Sequence, residues 1–377
     1  MTILLLGTNI TTGGAQRVLL DLAKDLHARH IPVRAAFFYD KDGLLPEWQK
    51  QYEFPIECFN AWSKDGNKVF RILRLVIAWC KLTWWIRNHK ISSVLTFTHD
   101  SNILGLPAAA LAGVPIRYGS HHVRYPSLSK MKILIHKWII NSRIASGLVA
   151  VSSFTREQAI EEGVKPSKIK IIHNGMTLPE VRSDKMDALK VEMKDFDDDL
   201  LVLTVGRLVA QKGQDIFIES AAAVLEQFPN AHFFIAGDGE QRDNLQALIE
   251  KLGVASQVHL LGNRTDIPEL LALADVFVLS SRYEGLPMTL LEALASETPV
   301  LSSNISGVAD VIVHEQTGIL VPPENVPALA EGIMHLLSEE PLRMQLAQNG
   351  KELMQMRFSL DKMAENYLKI LEGKYES

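Results

Sequence analysis

Short apolar runs alternate with amphipathic stretches along the second half of the chain. The apolar runs lie at 200–205, 232–236, 258–261, 276–280 and 299–302, and the stretches of helical period lie at 215–227, 241–252, 267–274 and 288–295. Strands that alternate with helices predict a parallel sheet with helices on both faces. The runs are almost wholly apolar, as burial on both faces of such a sheet requires.

The first half starts with the same pattern. The apolar run 3–6 precedes Gly13 and Gly14, and one apolar stripe of helical period follows, with charged side chains off the stripe. Further apolar runs lie at 33–38, 94–97, 116–119 and 147–151. We therefore predict two Rossmann-like α/β domains with parallel sheets. Ligands bind at the carboxyl ends of such strands, and two such sheets that face each other would have a cleft between those ends.

The domain boundary is predicted within the polar stretch 179–199, which is rich in Asp and Lys. We assign residues 1–180 to an N-terminal domain and residues 181–357 to a C-terminal domain. A helix at about 358–373 is expected to pack back on the N-terminal domain. The chain of 377 residues is long enough for two domains of this kind.

The composition excludes several classes of protein. A hydrophobic fraction of 47% and a charged fraction of 22% are typical of a soluble globular protein. Two cysteines, Cys58 and Cys80, provide neither a disulfide framework nor a cysteine metal site. The first residues lack the basic leader of a secretory signal, and the longest apolar stretch, 69–86, is interrupted by three basic residues. We expect a cytoplasmic protein without a transmembrane helix.

The charge is distributed unevenly along the chain. Residues 1–180 carry 23 Lys and Arg against 13 Asp and Glu, a balance of +10, whereas the whole chain has a net charge of −5. The segments 68–90 and 130–143 combine basic residues with tryptophans, which suits an anionic membrane surface. A buried helix with one solvated face explains the same pattern. Nucleic acid is not an expected partner, because no known binding module accompanies the charge.

Two carboxylates flank a predicted helix start in the second domain. Glu284 lies in the loop after the apolar run 276–280, and Glu292 lies one to two turns into the next helix. Pro287 suits the first helical position, where its missing N–H has no cost. The unpaired N–H groups of the first turn then form an anion site that suits a diphosphate.

Two cations follow another strand of the same domain. Arg207 and Lys212 come after the run 200–205 and can neutralise a diphosphate without a metal ion. A guanidinium can make two parallel hydrogen bonds to a phosphate, and the ammonium group of a lysine is a mobile positive charge. In the first domain, Gly13 and Gly14 precede a helix, where glycine allows close approach to a phosphate. A tight turn explains these two glycines equally well.

The glycine loop, the Arg207–Lys212 pair and the two glutamates resemble the retaining GT-B glycosyltransferases of family 4, over nearly the whole chain. The resemblance implies that Arg207 and Lys212 bind the donor diphosphate. It also implies that Glu292 holds the ribose and that Glu284 lies near the anomeric carbon. The implied domain roles are acceptor binding by the first domain and donor binding by the second.

The same resemblance implies further donor contacts. Arg264 is expected near the nucleobase, and Gly14 is expected to approach the phosphate from the first domain. The family's Gly-Gly pair with Glu is replaced here by Ser306, Gly307 and Asp310. The backbone expected to contact sugar and phosphate comprises Leu286, Pro287, Met288 and Thr289.

A histidine near the sugar is also implied, after a strand of the first domain. His121 and His122 follow the run 116–119, and His99 follows the run 94–97. We place His121 in this role, with His122 and His99 as alternatives.

The resemblance implies a glycosyltransferase that uses a UDP- or GDP-sugar and acts on a lipid-linked or surface-polysaccharide acceptor, peripherally at the inner face of the cell membrane. A nucleotide-sugar epimerase of the same fold and a non-catalytic nucleotide-sugar-binding protein are the alternatives. No metal or other cofactor is expected. The acidic run Asp195, Asp197, Asp198 and Asp199 resembles a metal-binding Asp-x-Asp sequence, but its place before a strand is typical of a solvated linker.

Overall fold

The structure, a computed structural model, describes residues 1–11, 13–61, 68–122, 129–177, 180–193, 196 and 199–374. It divides into two compact units: unit 1 is Met1–Met176 with Leu360–Ser377, and unit 2 is Thr177–Ser359. Thr12, beside the glycine loop, and Asp195, Asp197 and Asp198 of the acidic run lie outside the described residues.

The first segment of unit 1 alternates strands and helices. Its strands are β1 (Ile3–Ile10), β2 (Val33–Asp40), β3 (Ile56–Cys58), β4 (Ser93–Thr96), β5 (Ile116–His121), β6 (Gly147–Ala150) and β7 (Ile169–Ile171). Its helices are α1 (Gly14–Ala28), α2 (Leu45–Gln51), α3 (Lys68–Asn88), α4 (His99–Leu111), α5 (Lys130–Asn141) and α6 (Ser153–Glu161). In the described part of unit 1, the strands form one parallel sheet in the order β3-β2-β1-β4-β5-β6-β7.

Unit 2 repeats this architecture. Its strands are β8 (Leu200–Val205), β9 (Ala231–Ala236), β10 (Val258–Gly262), β11 (Val276–Leu279), β12 (Val300–Ser303) and β13 (Ile319–Val321). Its helices are α7 (Ser183–Glu192), α8 (Gln214–Leu225), α9 (Arg242–Leu252), α10 (Ile267–Leu273), α11 (Met288–Ala295), α12 (Ser306–Ala309), α13 (Val326–Ser338) and α14 (Glu340–Arg357). The strand order within the described residues is β10-β9-β8-β11-β12-β13, again parallel.

The last helix, α15 (Leu360–Leu371), belongs to unit 1. It packs against α1, β4 and β5, and Ser93 Oγ donates a hydrogen bond of 2.6 Å to the Leu371 carbonyl. Met363 and Tyr367 are buried in this contact. The chain re-enters unit 1 where the N–H of Leu360 donates to the carbonyl of Met176 at 3.0 Å.

The prediction of two Rossmann-like domains with parallel sheets is confirmed. Every apolar run predicted as a strand coincides with a strand, and the helix 288–295 has the predicted bounds. The three-residue strands β3, β7 and β13 were not predicted, because runs this short carry no periodic signal. The cleft between the domains stays a prediction.

Candidate functional site

The loops that follow β8 and β11 emerge side by side at the centre of the unit 2 sheet. β8 and β11 are paired neighbours, and the strand order runs outward from them in opposite directions. A reversal of this kind opens a crevice at the carboxyl ends of the strands, where open α/β sheets bind ligands. The first loop carries Arg207 and Lys212, and the second carries Glu284.

Lys212 and Glu284 form an ion pair, with 2.6 Å between Nζ and Oε1. The carboxylate also accepts hydrogen bonds from Ser281 Oγ at 2.8 Å and from Gln211 Nε2 at 3.4 Å. The two charged side chains are 16% and 8% exposed, so the pair is shielded from most of the solvent. Partial burial strengthens the attraction and makes each charge dependent on its partner.

Arg282 connects the two loops. Its guanidinium makes a two-point ion pair with Asp215, at 3.0 and 2.7 Å, and donates to the carbonyl of Ala210 at 2.6 Å. Its Nε pairs with Glu324 at 2.9 Å. These contacts hold the loop after β11 against the loop after β8.

Two glycines permit close packing of the backbone around these loops. Gly213 has φ +64°, and a Cβ atom there would lie 2.2 Å from the carbonyl oxygen of Ser280. A Cβ atom on Gly307 would lie 2.3 Å from the carbonyl oxygen of Glu284 and 2.4 Å from that of Gly285. No side chain larger than hydrogen fits either place without moving the backbone that carries Glu284 or follows Lys212.

Arg207 differs from Lys212 in being exposed. Its guanidinium has neither an ion pair nor a hydrogen bond with the residues that the structure describes, whereas its carbonyl accepts a hydrogen bond of 3.0 Å from Gln214 Nε2. The backbone is therefore held while the charged group stays available. An arginine in this position can bind an anion without breaking an existing contact.

The N-terminus of α11 has no side-chain cap. Pro287 occupies the N-cap rather than the predicted first helical position, because the helix begins at Met288. Leu286 and Pro287 are buried, and the buried hydroxyl of Thr289 has no hydrogen-bond partner within the described ranges. An uncapped helix start beside an unsatisfied hydroxyl has the groups that an anionic ligand needs.

Glu292 and Arg264 lie in different parts of unit 2. Glu292 is half-buried in the second turn of α11. Arg264 follows the edge strand β10 and pairs with Glu192 at 2.8 Å and with Asp266 at 2.6 Å. The structure therefore does not place Arg264 beside the Lys212–Glu284 pair.

The glycine loop of unit 1 follows β1, at the point where the strand order of that sheet reverses. Gly13 is the N-cap of α1 in an extended conformation, and Gly14 is the first helical residue. A Cβ atom on Gly14 would meet nothing within 4 Å among the described residues. Neither backbone conformation nor packing within unit 1 explains glycine at position 14.

His121 and His122 have different surroundings in the structure. His121 ends β5 and is buried, with its ring centroid 4.8 Å from that of His99. The His122 ring stacks on Phe97 with 5.7 Å between centroids. Burial, with the neighbouring His121, lowers the pKa of His122 to about 3. His99 and His121 are thus brought together, while His122 packs on an apolar ring as a neutral imidazole.

The helices α3 and α5 expose apolar side chains. On α3 the inward residues Leu82 and Ile86 are buried, yet the outward side chains are also apolar, including Trp84 at 67% exposure. On α5, Trp138 is 63% exposed. Both helices pack against α4. The other exposed apolar residues of this helix layer are Val69, Phe70, Ile72, Leu73, Val76, Ile77, Leu111, Met131, Leu134 and Ile135.

Exposed lysines and arginines border these apolar side chains: Arg71, Lys81 and Arg87 on α3, and Lys130 and Lys132 on α5. Among the described helices, none combines the length and hydropathy that a membrane span requires.

Sequence reasoning missed Ser281, Gln211 and Arg282 as parts of the site. The only sequence feature that pointed to these residues was their position in the loops at the carboxyl ends of β8 and β11. Polar residues in such loops are common, and the partners of Arg282 lie 67 and 42 residues away along the chain.

Comparison with known proteins identifies the family of the chain. Residues 186–353 match the family described as Glycosyl transferases group 1, and residues 12–178 match that described as Glycosyltransferase Family 4. Over 346 residues the chain is 30% identical to the UDP-Gal:alpha-D-GlcNAc-diphosphoundecaprenol alpha-1,3-galactosyltransferase of Escherichia coli, covering 88% of this chain and 86% of that protein.

A second relative is the N,N'-diacetylbacillosaminyl-diphospho-undecaprenol alpha-1,3-N-acetylgalactosaminyltransferase of Campylobacter jejuni, 28% identical and covering 76% of this chain and 78% of that protein. The crystal structure of Anabaena HepE in complex with UDP shares the fold, with a TM-score of 0.86 at 23% identity over 99% of this chain and 100% of that one. The chain belongs to the group 1 glycosyltransferases of the GT-B fold, and it is a transferase enzyme.

Proposed function

We propose that this enzyme transfers a sugar from a UDP-sugar to a lipid-linked glycan intermediate, with retention of the anomeric configuration. The observation that carries the proposal is the arrangement at the centre of the unit 2 sheet. There Arg207, Lys212 and the uncapped start of α11 accompany the partly buried carboxylate of Glu284. GDP-sugars are the second class of donor that suits this arrangement.

Three features of this edge suit the donor diphosphate. Arg207 presents an available guanidinium, Lys212 presents an ammonium group, and the first turn of α11 presents backbone N–H groups. Negative charge grows on the diphosphate as the sugar departs, so fixed donors that face it stabilise the transition state more than the bound substrate. We expect no divalent cation at the diphosphate, because the two cations supply the charge.

Retention is proposed to occur by attack from the face that the diphosphate leaves. The acceptor oxygen bonds to the anomeric carbon while the sugar–phosphate bond breaks, and the departing phosphate oxygen takes the acceptor's proton. Glu284 is engaged by Lys212, Ser281 and Gln211, which favours an electrostatic role near the sugar over that of a covalent nucleophile. The roles of Glu292 toward the ribose and of His121 toward the sugar stay predictions.

The proposed acceptor is linked to a lipid. Both relatives described above are named for diphospho-undecaprenol substrates. The layer of α3, α4 and α5 adds a physical reason, since its exposed apolar side chains are bordered by basic residues. Tryptophans and cations on one surface suit the headgroup region of an anionic membrane, where a peripheral enzyme meets such an acceptor.

The donor is tested by thermal shift with UDP, GDP and ADP, since a ligand at 100 times its Kd stabilises the fold by about 2.7 kcal/mol. We expect UDP to give the largest shift, and Arg207→Ala and Glu292→Ala to reduce it. Turnover is then measured with UDP-sugars and an undecaprenyl-diphosphate-linked acceptor, with and without Mn²⁺, and the product anomer is assigned by NMR.

An inverted anomer would refute the retaining mechanism. An isomerised sugar nucleotide formed without acceptor would identify an epimerase, and donor binding without turnover on any acceptor would identify a binding protein. A donor KM that depends on Mn²⁺ would contradict the metal-independent diphosphate site.

The membrane contact is tested by flotation with vesicles of phosphatidylcholine alone or with phosphatidylglycerol. We expect flotation with the anionic vesicles that weakens at high salt, and its loss in Trp84→Ser/Trp138→Ser and in Arg71→Glu/Lys81→Glu. The matched control is Lys190→Glu/Lys251→Glu, which reverses two exposed charges of unit 2. Equal flotation of all four proteins would contradict the proposed surface.

A further inference from the structure

Three histidines and a glutamate converge in the interior of unit 1. His99 begins α4, His121 ends β5, His136 lies on α5 and Glu162 directly follows α6. All four residues are at most 7% exposed. Four separate elements thus direct imidazole and carboxylate groups to one buried place.

The spacing of these groups suits a metal ion. His99 Nε2 lies 3.3 Å from Glu162 Oε2, and one ligand atom from each of His99, His121 and Glu162 can be chosen so that all lie within 4.8 Å of one another. In a tetrahedral zinc site with bonds of about 2.1 Å, ligand atoms lie about 3.4 Å apart. The His99–Glu162 pair already has this spacing, and His121 must move closer to both groups to complete the ligand set.

We propose that His99, His121 and Glu162 bind a divalent transition-metal ion, with zinc as the expected ion. Two imidazoles and one carboxylate are a ligand set that zinc takes in proteins, with water in the fourth position. The ion would link α4, β5 and the end of α6, and so stabilise unit 1.

Hydrogen bonds fix the tautomer of His136, which lies beside the proposed ligands. Asn102 Nδ2 donates to the Ser120 carbonyl at 3.1 Å and Asn102 Oδ1 accepts from Thr96 Oγ1 at 2.5 Å, which fixes the orientation of the amide. The same Nδ2 lies 3.0 Å from His136 Nε2, so that nitrogen must accept and the ring proton is on Nδ1. His136 Nδ1 lies 4.0 Å from Glu162 Oε2. That separation is too long for a hydrogen bond, and the neutral ring instead packs against the His99 ring, with 4.5 Å between centroids, so it can position a ligand without binding the metal.

A second cluster in unit 2 provides a contrast. His232 uses Nε2 for Asp199, at 3.3 Å, and Nδ1 for His259, at 3.1 Å. Opposite nitrogens of one imidazole cannot bind the same ion, so these three groups do not converge on one point. His259→Gln is therefore a matched control for substitutions in the unit 1 cluster.

The proposal does not rest on the proposed donor or acceptor. Coordination of His121 and its predicted contact with the sugar are alternative roles for one ring, so His121 is left unchanged in the test. Glu162→Gln and His99→Gln remove a ligand each, and His136→Asn removes only the ring that packs against His99.

The test uses full-length protein without a polyhistidine tag, purified without chelating resin. Zinc in the purified protein is measured by mass spectrometry, and EDTA-treated protein is titrated with ZnCl₂ by calorimetry. We expect a stoichiometry near one, a higher Tm with zinc, loss of binding in Glu162→Gln and His99→Gln, and binding that is retained but weakened in His136→Asn. His259→Gln should bind as the wild type does.

Absence of tight zinc binding by the wild type, or equal loss in His259→Gln and Glu162→Gln, would overturn the proposal. Circular dichroism checks that each variant folds. Should Glu162→Gln not fold, the visible spectrum of the wild type with Co²⁺ decides the matter. Tetrahedral nitrogen and oxygen coordination supports the site, and the spectrum of hexaaquo Co²⁺ contradicts it.

Discussion

Lys212 Nζ lies 2.6 Å from Glu284 Oε1, although the two residues follow different strands of the unit 2 sheet. The family resemblance implies that Lys212 binds the donor diphosphate and that Glu284 lies near the sugar. A bound diphosphate would therefore compete with Glu284 for the lysine. If Lys212 binds the diphosphate, the pair couples the stability of the two loops to the binding of the donor.

This coupling predicts different effects of single and double substitutions. Lys212→Met should lower kcat by about 100- to 1000-fold, because a cation facing the leaving group is lost. It should also destabilise the protein by no more than about 3 kcal/mol, because Glu284 keeps its hydrogen bonds to Ser281 and Gln211. Lys212→Met/Glu284→Gln should regain stability in urea but not activity. Recovery of activity in the double variant would give Lys212 a purely structural role.

The variant Gly14→Ala distinguishes between two interpretations of this glycine, a phosphate contact and a tight turn. A methyl group on Gly14 meets nothing within 4 Å in the described structure, and alanine is the better helix former. We expect an unchanged or higher Tm together with a donor KM raised about tenfold, which corresponds to about 1.4 kcal/mol of lost binding. An unchanged KM would support the tight-turn interpretation.

Gly307→Ala should damage the site more than the fold. Its Cβ atom would collide with the carbonyl oxygens of Glu284 and Gly285, so the loop that carries the carboxylate must move. We expect a large loss of kcat/KM at temperatures where circular dichroism shows a folded protein. Gly332→Ala is the control, since its Cβ atom meets the Leu301 side chain, at 2.8 Å, instead of the loop. Equal activity losses in the two variants would contradict this prediction.

The stability of unit 2 should depend on Asp266 at low pH. A hydrogen bond from Arg264 holds the pKa of Asp266 below its ordinary value of 3.8. A carboxyl whose pKa is lower in the folded state stabilises the fold above its unfolded pKa, and the contribution is lost as the pH falls through the folded pKa.

The free energies of unfolding of the wild type and Asp266→Asn, measured in urea, should therefore differ most above about pH 5 and converge as the pH falls below about 4. Asp184→Asn is the control, because the Arg182–Asp184 pair is exposed and contributes little. A difference between wild type and Asp266→Asn that does not change with pH would contradict the role of the ion pair.

The sequence predicted those parts of the fold and site that local patterns encode. The strands could be predicted from the apolar runs. Arg207, Lys212 and Glu284 could be predicted as candidate site residues because each lies in a loop after the carboxyl end of such a run. The predicted position of Pro287, the first residue of the helix, differs by one residue from the observed N-cap position, since sequence patterns define helix ends only to within a turn.

Long-range contacts could not be predicted in this way. Ser281 and Arg282 are ordinary loop residues until the fold brings Glu284 and Asp215 beside them. For 68–90 the sequence left two interpretations open, a membrane-facing surface and a buried helix with one solvated face, because both faces of α3 are apolar and the helix has no clear amphipathic period.

The passage of the chain through unit 2 before α15 has a consequence for biosynthesis. Unit 2 is one continuous segment, whereas unit 1 receives its last helix only after Ser359. The sheet of unit 1 therefore leaves the ribosome early but keeps an uncovered apolar surface until α15 has been made, because Met363 and Tyr367 follow the whole of unit 2 in the chain. A nascent chain that stalls within unit 2 would expose that surface to chaperones and proteases.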